Sequence, residues 1–361
     1  MHMADALLTP AVSAVMYAAS ASAAGVSIHR LKKDEAIHSE AALKKLPTMA
    51  VMSAFVFAAQ MINYTIPGTG SSGHICGGML LSALLGPYAG FLSMIVVLAV
   101  QCLFFADGGL LALGANVWNM AFYGCFVGYF LLYRPIMRGK LFSGKGNTTA
   151  NRLKIILSSI AGCVITLQLG AFSVVLETSL SGITDLPFGA FCALMQPIHL
   201  AIGLVEGIIT AAVLLFVLEA RPELLMDYSS QSEGAGRHSV KTTLLVLTIV
   251  TVIVAGGISL FASSNPDGLE WSLFGNADAG YSDNMGLDEE EYGIQSGAAE
   301  TAAAIQESTA ILPDYAFASD AENPAGTSVS GIAGIAAVAA IAALVCFAGG
   351  FFRKKRAIKQ S

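Results

Sequence analysis

The sequence predicts an all-α membrane protein. A bundle of seven apolar spans (1–221) is followed by a cytoplasmic linker (222–240) and a two-helix hairpin module (241–361) that encloses an acidic extracytoplasmic loop, 263–326. Three observations predict this. Hydrophobic residues make up 55% of the chain and charged residues 12%, where a soluble domain carries roughly a quarter charged. Mean hydropathy is +0.67, and several stretches reach the ~20 apolar residues a helix needs to cross a bilayer. The basic residues gather in alternate loops, as the positive-inside rule requires of a multi-pass protein.

Taken in order, the first span falls near 6–28. Ala19 to Ala24 resembles a signal-peptide cleavage region, but no basic segment precedes it. The positive charge follows instead, in Arg30, Lys32, Lys33, Lys44 and Lys45, so an uncleaved span with Met1 outside is expected. Further spans fall near 48–64, 76–86, 88–106, 111–133, 154–178 and 188–219, then near 241–262 and 329–351. The third is short and stops at the helix breaker Gly86-Pro87. Loop 134–154 and the tail 353–359 are basic, which places the C-terminus in the cytoplasm. Gly86-x-x-x-Gly90, Gly124-x-x-x-Gly128 and Gly203-x-x-x-Gly207 suit close helix contact. The linker 222–240 is polar and contains Ser229, Ser230 and Ser232. Residues 263–326 carry thirteen acidic groups, among them Asp288-Glu289-Glu290-Glu291, and no Lys or Arg. Single-sign charge with low hydrophobicity suggests partial disorder there.

Several functions are excluded. No basic face exists outside the short loops, so nucleic-acid binding has no support. The six cysteines (76, 102, 125, 163, 192 and 346) form no CxxC pair. Gly144-Lys145 is followed by Gly146, where a phosphate-binding loop has Ser/Thr. Active transport would therefore draw on another polypeptide or an ion gradient.

Chemistry concentrates at the outward face. Met1 and His2 place the α-amine, the His2 amide and the His2 imidazole in chelating order, a planar nitrogen set that suits Ni(II) or Cu(II), with Co(II) close behind. The bulky His2 disfavours removal of Met1. The alternative is a chain start with no such role. The loop Ile66-Pro67-Gly68-Thr69-Gly70-Ser71-Ser72-Gly73-His74-Ile75-Cys76-Gly77-Gly78 is dense in glycine. His74 is either a fourth ligand or a solvent-facing turn residue, and Cys76 either a ligand or a structural thiol. Asp107 either bonds to a metal-bound histidine or caps the helix that follows. Asn116 and Asn119 lie just beyond it. Glu177, His199 and Glu206 are ionisable groups inside apolar spans. His199 and Glu206 share one helix face roughly 10 Å apart along the axis, either lining an ion route or bonding across the bundle.

The Met1-His2 start, the Pro67-Gly68-x-Gly70-Ser71-Ser72-Gly73-His74 loop and Asp107-Gly108-Gly109-Leu110-x-Ala112-Leu113-Gly114-x-Asn116 together resemble one family. It is the substrate-binding membrane component (S-component) of energy-coupling-factor (ECF) transporters for cobalt and nickel, the CbiM/NikM family, and the resemblance covers roughly 1–220. Pro266-Asp267-Gly268-Leu269-Glu270 resembles the PDGLE signature of its small accessory component, CbiN/NikN. The resemblance implies a seven-helix ECF S-component bundle whose N-terminus folds back into its centre. Met1, His2 and His74 would bind the metal, with Co(II) or Ni(II) as transported ligand and no resident cofactor. It also implies partners, a coupling transmembrane subunit and cytoplasmic ABC ATPases, and no enzymatic activity in this chain. The stretch Met3-Ala4-Asp5-Ala6-Leu7-Leu8 and the long acidic insertion after Trp271 depart from the family pattern and leave cobalt against nickel open. The alternative from a different class is a metal-sensing membrane receptor or scaffold without transport.

Overall fold

The computed structural model describes residues 1–360 except 38, 140–147, 183–186, 229–238, 283–295 and 322. The acidic run 288–291, the linker serines and Gly144-Lys145-Gly146 fall outside the described residues. The regular elements of the described residues are helices apart from two small hairpins. The apolar helices in chain order are α1 (Pro10–Ile37), α2 (Ser39–Gln60), α3 (Gly78–Leu85), α4 (Pro87–Phe105), α5 (Leu113–Arg138), α6 (Thr148–Ser181), α7 (Phe188–Ala220) and α8 (Val240–Gly256). Two polar-faced helices, α9 (Gly268–Phe274) and α10 (Gly297–Thr309), precede the last apolar one, α11 (Pro324–Gln360).

Helices stand at all nine sequence-read spans, and among the described residues seven are long and apolar enough to cross a bilayer. The second contributes the shorter apolar stretch Pro47–Gln60. The third is α3, eight residues long and buried at every position. Its short length has a local cause. Gly77 caps its start at φ +82 with Val56 packed where a side chain would stand, and Gly86 ends it at φ +86. Multiple apolar helices around one apolar core make this a multi-pass membrane protein.

The small-residue pairs read from the sequence sit at helix crossings. Gly203 and Gly207 let α7 lie against α6, where added Cβ atoms would come 2.8 Å from the Val164 Cα and 2.6 Å from the Ile160 Cα. Gly124 abuts Met79 at the start of α3, and Gly90 abuts Ser82. Between Val117 and Tyr133, α5 is wound as a π-helix. In the C-terminal part, α8 packs against α11, where Gly331 rests on the Ala255 carbonyl and Ser328 Oγ donates to Gly256 O at 2.7 Å. Gly334 of α11 gives way to the Phe57 ring of α2.

The hairpin of β1 (Tyr64–Ile66) and β2 (Ser71–Gly73) pairs Tyr64 with Gly73 and Ile66 with Ser71, and delivers the chain directly into His74. A second hairpin, β3 (Gly275–Asn276) with β4 (Tyr281–Ser282), follows α9. Part of the acidic segment is folded among the described residues. Residues 297–309 form α10, whose Gln306 Nε2 donates to Cys102 O at 2.9 Å and Gly108 O at 2.7 Å. The backbone amides of Ile311 and Leu312 both donate to Phe104 O. These bonds to the end of α4 act together with apolar packing, since Leu312 and Tyr315 lie against the cluster that contains Phe57 and Phe105.

Candidate metal centre

The first eight residues turn back into the bundle instead of lying on it. Met3 and Leu8 are fully buried, and Met1 is 5% exposed. The chain that enters an apolar core must bond its backbone polar groups there, and Asn116 supplies the bonds. Its Oδ1 accepts from Met3 N at 2.7 Å, and its Nδ2 donates to Met3 O at 3.1 Å. Gly109 N donates to the same carbonyl at 2.9 Å. Ala112 N donates to Asp5 Oδ1 at 2.9 Å. This close approach requires glycine at 109, since a Cβ there would stand 1.9 Å from Asp5 Oδ1. One turn further along α5, Asn119 Nδ2 donates to Glu177 Oε2 at 2.8 Å and reaches Met3 Sδ at 3.7 Å. Glu177 therefore sits behind Asn119 and does not face the terminal nitrogens.

So held, the terminus meets the glycine-rich loop. The imidazoles of His2 and His74 are stacked, with centroids 5.1 Å apart and planes 21° apart. His74 Nδ1 lies 3.0 Å from Ile75 O and donates to it, which leaves the lone pair on Nε2. Burial lowers the affinity of His74 for a proton, to a pKa of about 3, and the nearby ammonium and His2 act in the same direction. Burial also lowers His2, against the opposing pull of Asp107. Both rings are thus neutral, the form in which imidazole binds metals. His2 Nδ1 stands 3.2 Å from Asp107 Oδ1, and Asp107 Oδ2 accepts from the Tyr315 hydroxyl at 2.5 Å. Asp107 does not cap α5, whose N-cap is Ala112 without a side-chain bond.

The loop carrying His74 is fixed from below and from above. From below, Glu206 accepts from two successive amides, Cys76 N at 2.7 Å through Oε2 and Gly77 N at 2.9 Å through Oε1. Such charge-assisted pairs are the strong ones. Glu206 thereby holds the loop and does not share the space around His199. From above, the segment 263–268 lies along β2. Ser72 N donates to Pro266 O at 2.8 Å, and Ser72 Oγ to Asn265 O at 2.8 Å.

The next residue of that segment enters the centre itself. Asp267 is the N-cap of α9. Its Oδ1 accepts from Leu269 N at 2.7 Å and Glu270 N at 3.0 Å, and Glu270 returns a bond to Asp267 N, a complete capping box. The other oxygen, Oδ2, forms an ion pair with the Met1 ammonium. Burial alone would lower the proton affinity of the amine, but the Asp267 carboxylate overrides it and raises the pKa above its usual value. Asp267 in turn is raised by burial and held well below the carboxylate range by the ammonium, which prevails. Gly268 follows because a Cβ there would come 2.7 Å from Ile198 and 3.0 Å from His199 Cε1. Leu269 and Trp271 are buried against the bundle.

Met1, His74, Cys76, His199, Asp267 and Gly268 line one small cavity, closed on its apolar side by Leu167 and Ile202. Met1, His2, His74, Asp107, Asn116 and His199 thus gather at one end of the bundle, with Asn119 one layer behind. Glu177 and Glu206 brace the walls. Cys76 lines the cavity, while Cys102, Cys125 and Cys163 are buried thiols elsewhere. Asp267 and Tyr315 are the contributors that motif reading of the centre omits. The Asp-x-x-Glu pattern at 267–270 signals a helix cap, but nothing local announces an ion pair across 266 residues of chain.

Residues 2–224 match the family described as the cobalt uptake substrate-specific transmembrane region, CbiM, and residues 241–349 match the PDGLE domain. The chain is 37% identical over 268 residues to the putative fused nickel transport protein NikMN of Archaeoglobus fulgidus, an alignment covering 74% of this chain and 80% of that protein. It is 33% identical over 277 residues to the probable fused nickel transport protein LarMN of Lactiplantibacillus plantarum, covering 75% and 78% respectively. A crystal structure of a truncated transition metal transporter is 33% identical, covers 61% of this chain and 99% of that one, and superposes with a TM-score of 0.49. The chain belongs to the CbiM family and carries a PDGLE domain fused behind its transmembrane region.

Proposed function

We propose that this chain is the substrate-binding membrane component of a Co(II) or Ni(II) importer. It captures the ion outside the cell between the Met1-His2 terminus and His74. The observation that carries the reading is the convergence of the Met1 amine and two neutral imidazoles, His2 stacked on His74, in one buried place. The amine, the His2 amide nitrogen, His2 Nδ1 and His74 Nε2 make a four-nitrogen set that suits Ni(II) and Co(II). Membership of the CbiM family and similarity to proteins named as nickel transport proteins support the same substrate.

Charge balance favours a divalent ion. Before loading, the Met1 ammonium and Asp267 cancel. Loading through an ionised amide removes one proton from the amine and one from the amide. The dication then faces the amide anion and Asp267, and the buried centre is neutral again. A buried centre that stays neutral avoids the desolvation penalty of an unpaired charge. Selectivity over Cu(II), which binds nitrogen sets more tightly still, rests on the rigidity of the Asn116 and Glu206 clamps.

Energy comes from partners in this reading, a coupling transmembrane subunit and cytoplasmic ABC ATPases, since the chain has no phosphate-binding loop. The chain itself is a transporter component and not an enzyme. The loop charges orient it with the N-terminus outside and the C-terminus in the cytoplasm. The test is metal accumulation in cells that express the chain with its ATPases or with ATPases unable to hydrolyse ATP. Uptake that requires hydrolysis supports import. Metal binding without hydrolysis-dependent uptake would favour a metal-sensing receptor.

A further inference from the structure

The cavity beside the chelating nitrogens contains a donor that the four-nitrogen set does not use. His199 lies on α7 with no solvent exposure. Its Nδ1 is 2.8 Å from the carbonyl of Met195, four residues earlier, and donates to it. The proton is therefore on Nδ1, and Nε2 carries a free lone pair. That Nε2 is buried and has no hydrogen-bond partner. It faces the accessory segment, since the missing Cβ of Gly268 would stand 3.5 Å from it. Asp267, the neighbour of Gly268, lines the same cavity with Met1, His74 and Cys76. An unpartnered buried nitrogen carries a desolvation cost that a folded protein normally avoids. Around this space Asp267, Cys76 and a second imidazole offer electron pairs, and the cation now paired there is the Met1 ammonium on the Asp267 carboxylate. Such a lining attracts a cation.

We propose that this cavity is a second, transient station for the transported divalent ion, held by His199 Nε2 and the Asp267 carboxylate, from which the ion passes to the terminal chelate. The inference rests on the reading of Met1, His2 and His74 as the tight site. Two features make the station one of passage. Among the described residues no three His, Cys, Asp or Glu side chains close around a single point, so the hold is open and weak. Asp267 also contacts the Met1 ammonium, so an ion beside Asp267 lies next to the amine whose proton it must displace. Arrival of a dication at the carboxylate weakens the ion pair and frees the amine for the chelate. Fusion of the accessory module to the bundle places Asp267 there permanently.

The test compares four tag-free, full-length proteins in lipid nanodiscs: native, His199→Gln, His2→Ala and the double variant. Co(II) binding is followed by calorimetry and visible absorption. His199→Gln is expected to keep tight binding within about twofold of native while slowing loading at least fivefold in stopped flow. His2→Ala is expected to retain weak binding, and adding His199→Gln should weaken that by at least about tenfold. Equal weak binding in His2→Ala and the double variant, with equal loading rates in native and His199→Gln, would mean the cavity holds water only and overturn the station. Loss of tight binding in His199→Gln would overturn it too, by making His199 part of the tight site or of its support. If His2→Ala binds as tightly as native, the chelate reading fails. The response to His199→Gln in that background still reports on the station independently.

Discussion

His2 meets Asp107 through Nδ1, at 3.2 Å, and this is the nitrogen that a chelate with the Met1 amine and the His2 amide must use. Only Nδ1 closes a six-membered ring with the amide. In this structure the ring is turned to its carboxylate partner, and its buried Nε2 has no partner at hydrogen-bond length. In the proposed chelate the ring would rotate so that Nδ1 faces the ion, with Asp107 the acceptor for Nε2. A carboxylate on the outer nitrogen of a metal-bound histidine fixes its orientation and raises its basicity.

Tyr315 makes that partner part of the C-terminal module, because its hydroxyl holds Asp107 Oδ2 at 2.5 Å. Tyr315→Phe removes only this bond and leaves the ring stacked on Phe105, whose centroid is 4.8 Å away. The expected result is metal affinity weakened about threefold to tenfold, with thermal stability close to native. Calorimetry on the purified variant checks it, and an unchanged affinity would confine Tyr315 to packing.

Asn116→Ala removes both side-chain bonds to Met3 and leaves the buried Met3 amide without its acceptor. A lost buried hydrogen bond of this kind costs about 1–3 kcal/mol, here charged to insertion of the terminus. The helices should stay folded by circular dichroism while metal affinity falls about tenfold to a hundredfold. A variant that binds metal normally would show that Gly109 and Asp5 suffice to seat the terminus.

Proton competition gives a pH dependence of defined sign. The Met1 amine has its pKa raised above the usual terminal-amine value by Asp267, so it is protonated through the neutral range and the ion must displace that proton. Apparent affinity should therefore rise with pH, and binding should release about two protons per ion, one from the amine and one from the amide. Asp267→Asn removes the group that raises the amine, so the pH at which this rise levels off should move down. Titrations in buffers of different ionisation enthalpy measure the release. Binding that is independent of pH would contradict the ion pair as the resting state.

Much of this was legible in the sequence. The apolar spans follow from hydropathy, and α3 ends where Gly86-Pro87 says it must. Met1, His2 and His74 stand out because their chemistry is local and sits in recognisable motifs. Asp107 and Asn116 lie in such a motif, but their partners do not follow from it. The less legible part is pairing at long range. Glu206, an intramembrane carboxylate open to reading as an ion-route group, spends both oxygens on the amides of Cys76 and Gly77. Glu177 is turned to Asn119. Asp267 belongs to a signature whose local logic, a capping box, explains Asp267 and Glu270 without mentioning Met1. The order of α10 was hidden for a similar reason. Its polar anchoring runs through Gln306 and two backbone amides, which leave no hydrophobic pattern in the sequence.

The central claim is that the terminal amine and His2 act together as one chelate seated against His74. Its most direct test is Ni(II) and Co(II) binding by a purified chain with one alanine inserted between Met1 and His2, with mass spectrometry establishing a free Met1 amine in the native protein. The insertion keeps every side chain but enlarges the chelate ring. The account predicts at least a hundredfold loss of affinity, about 3 kcal/mol, with the helical fold retained. Native affinity in the inserted chain, or an equally tight native protein with a blocked amine, would contradict it.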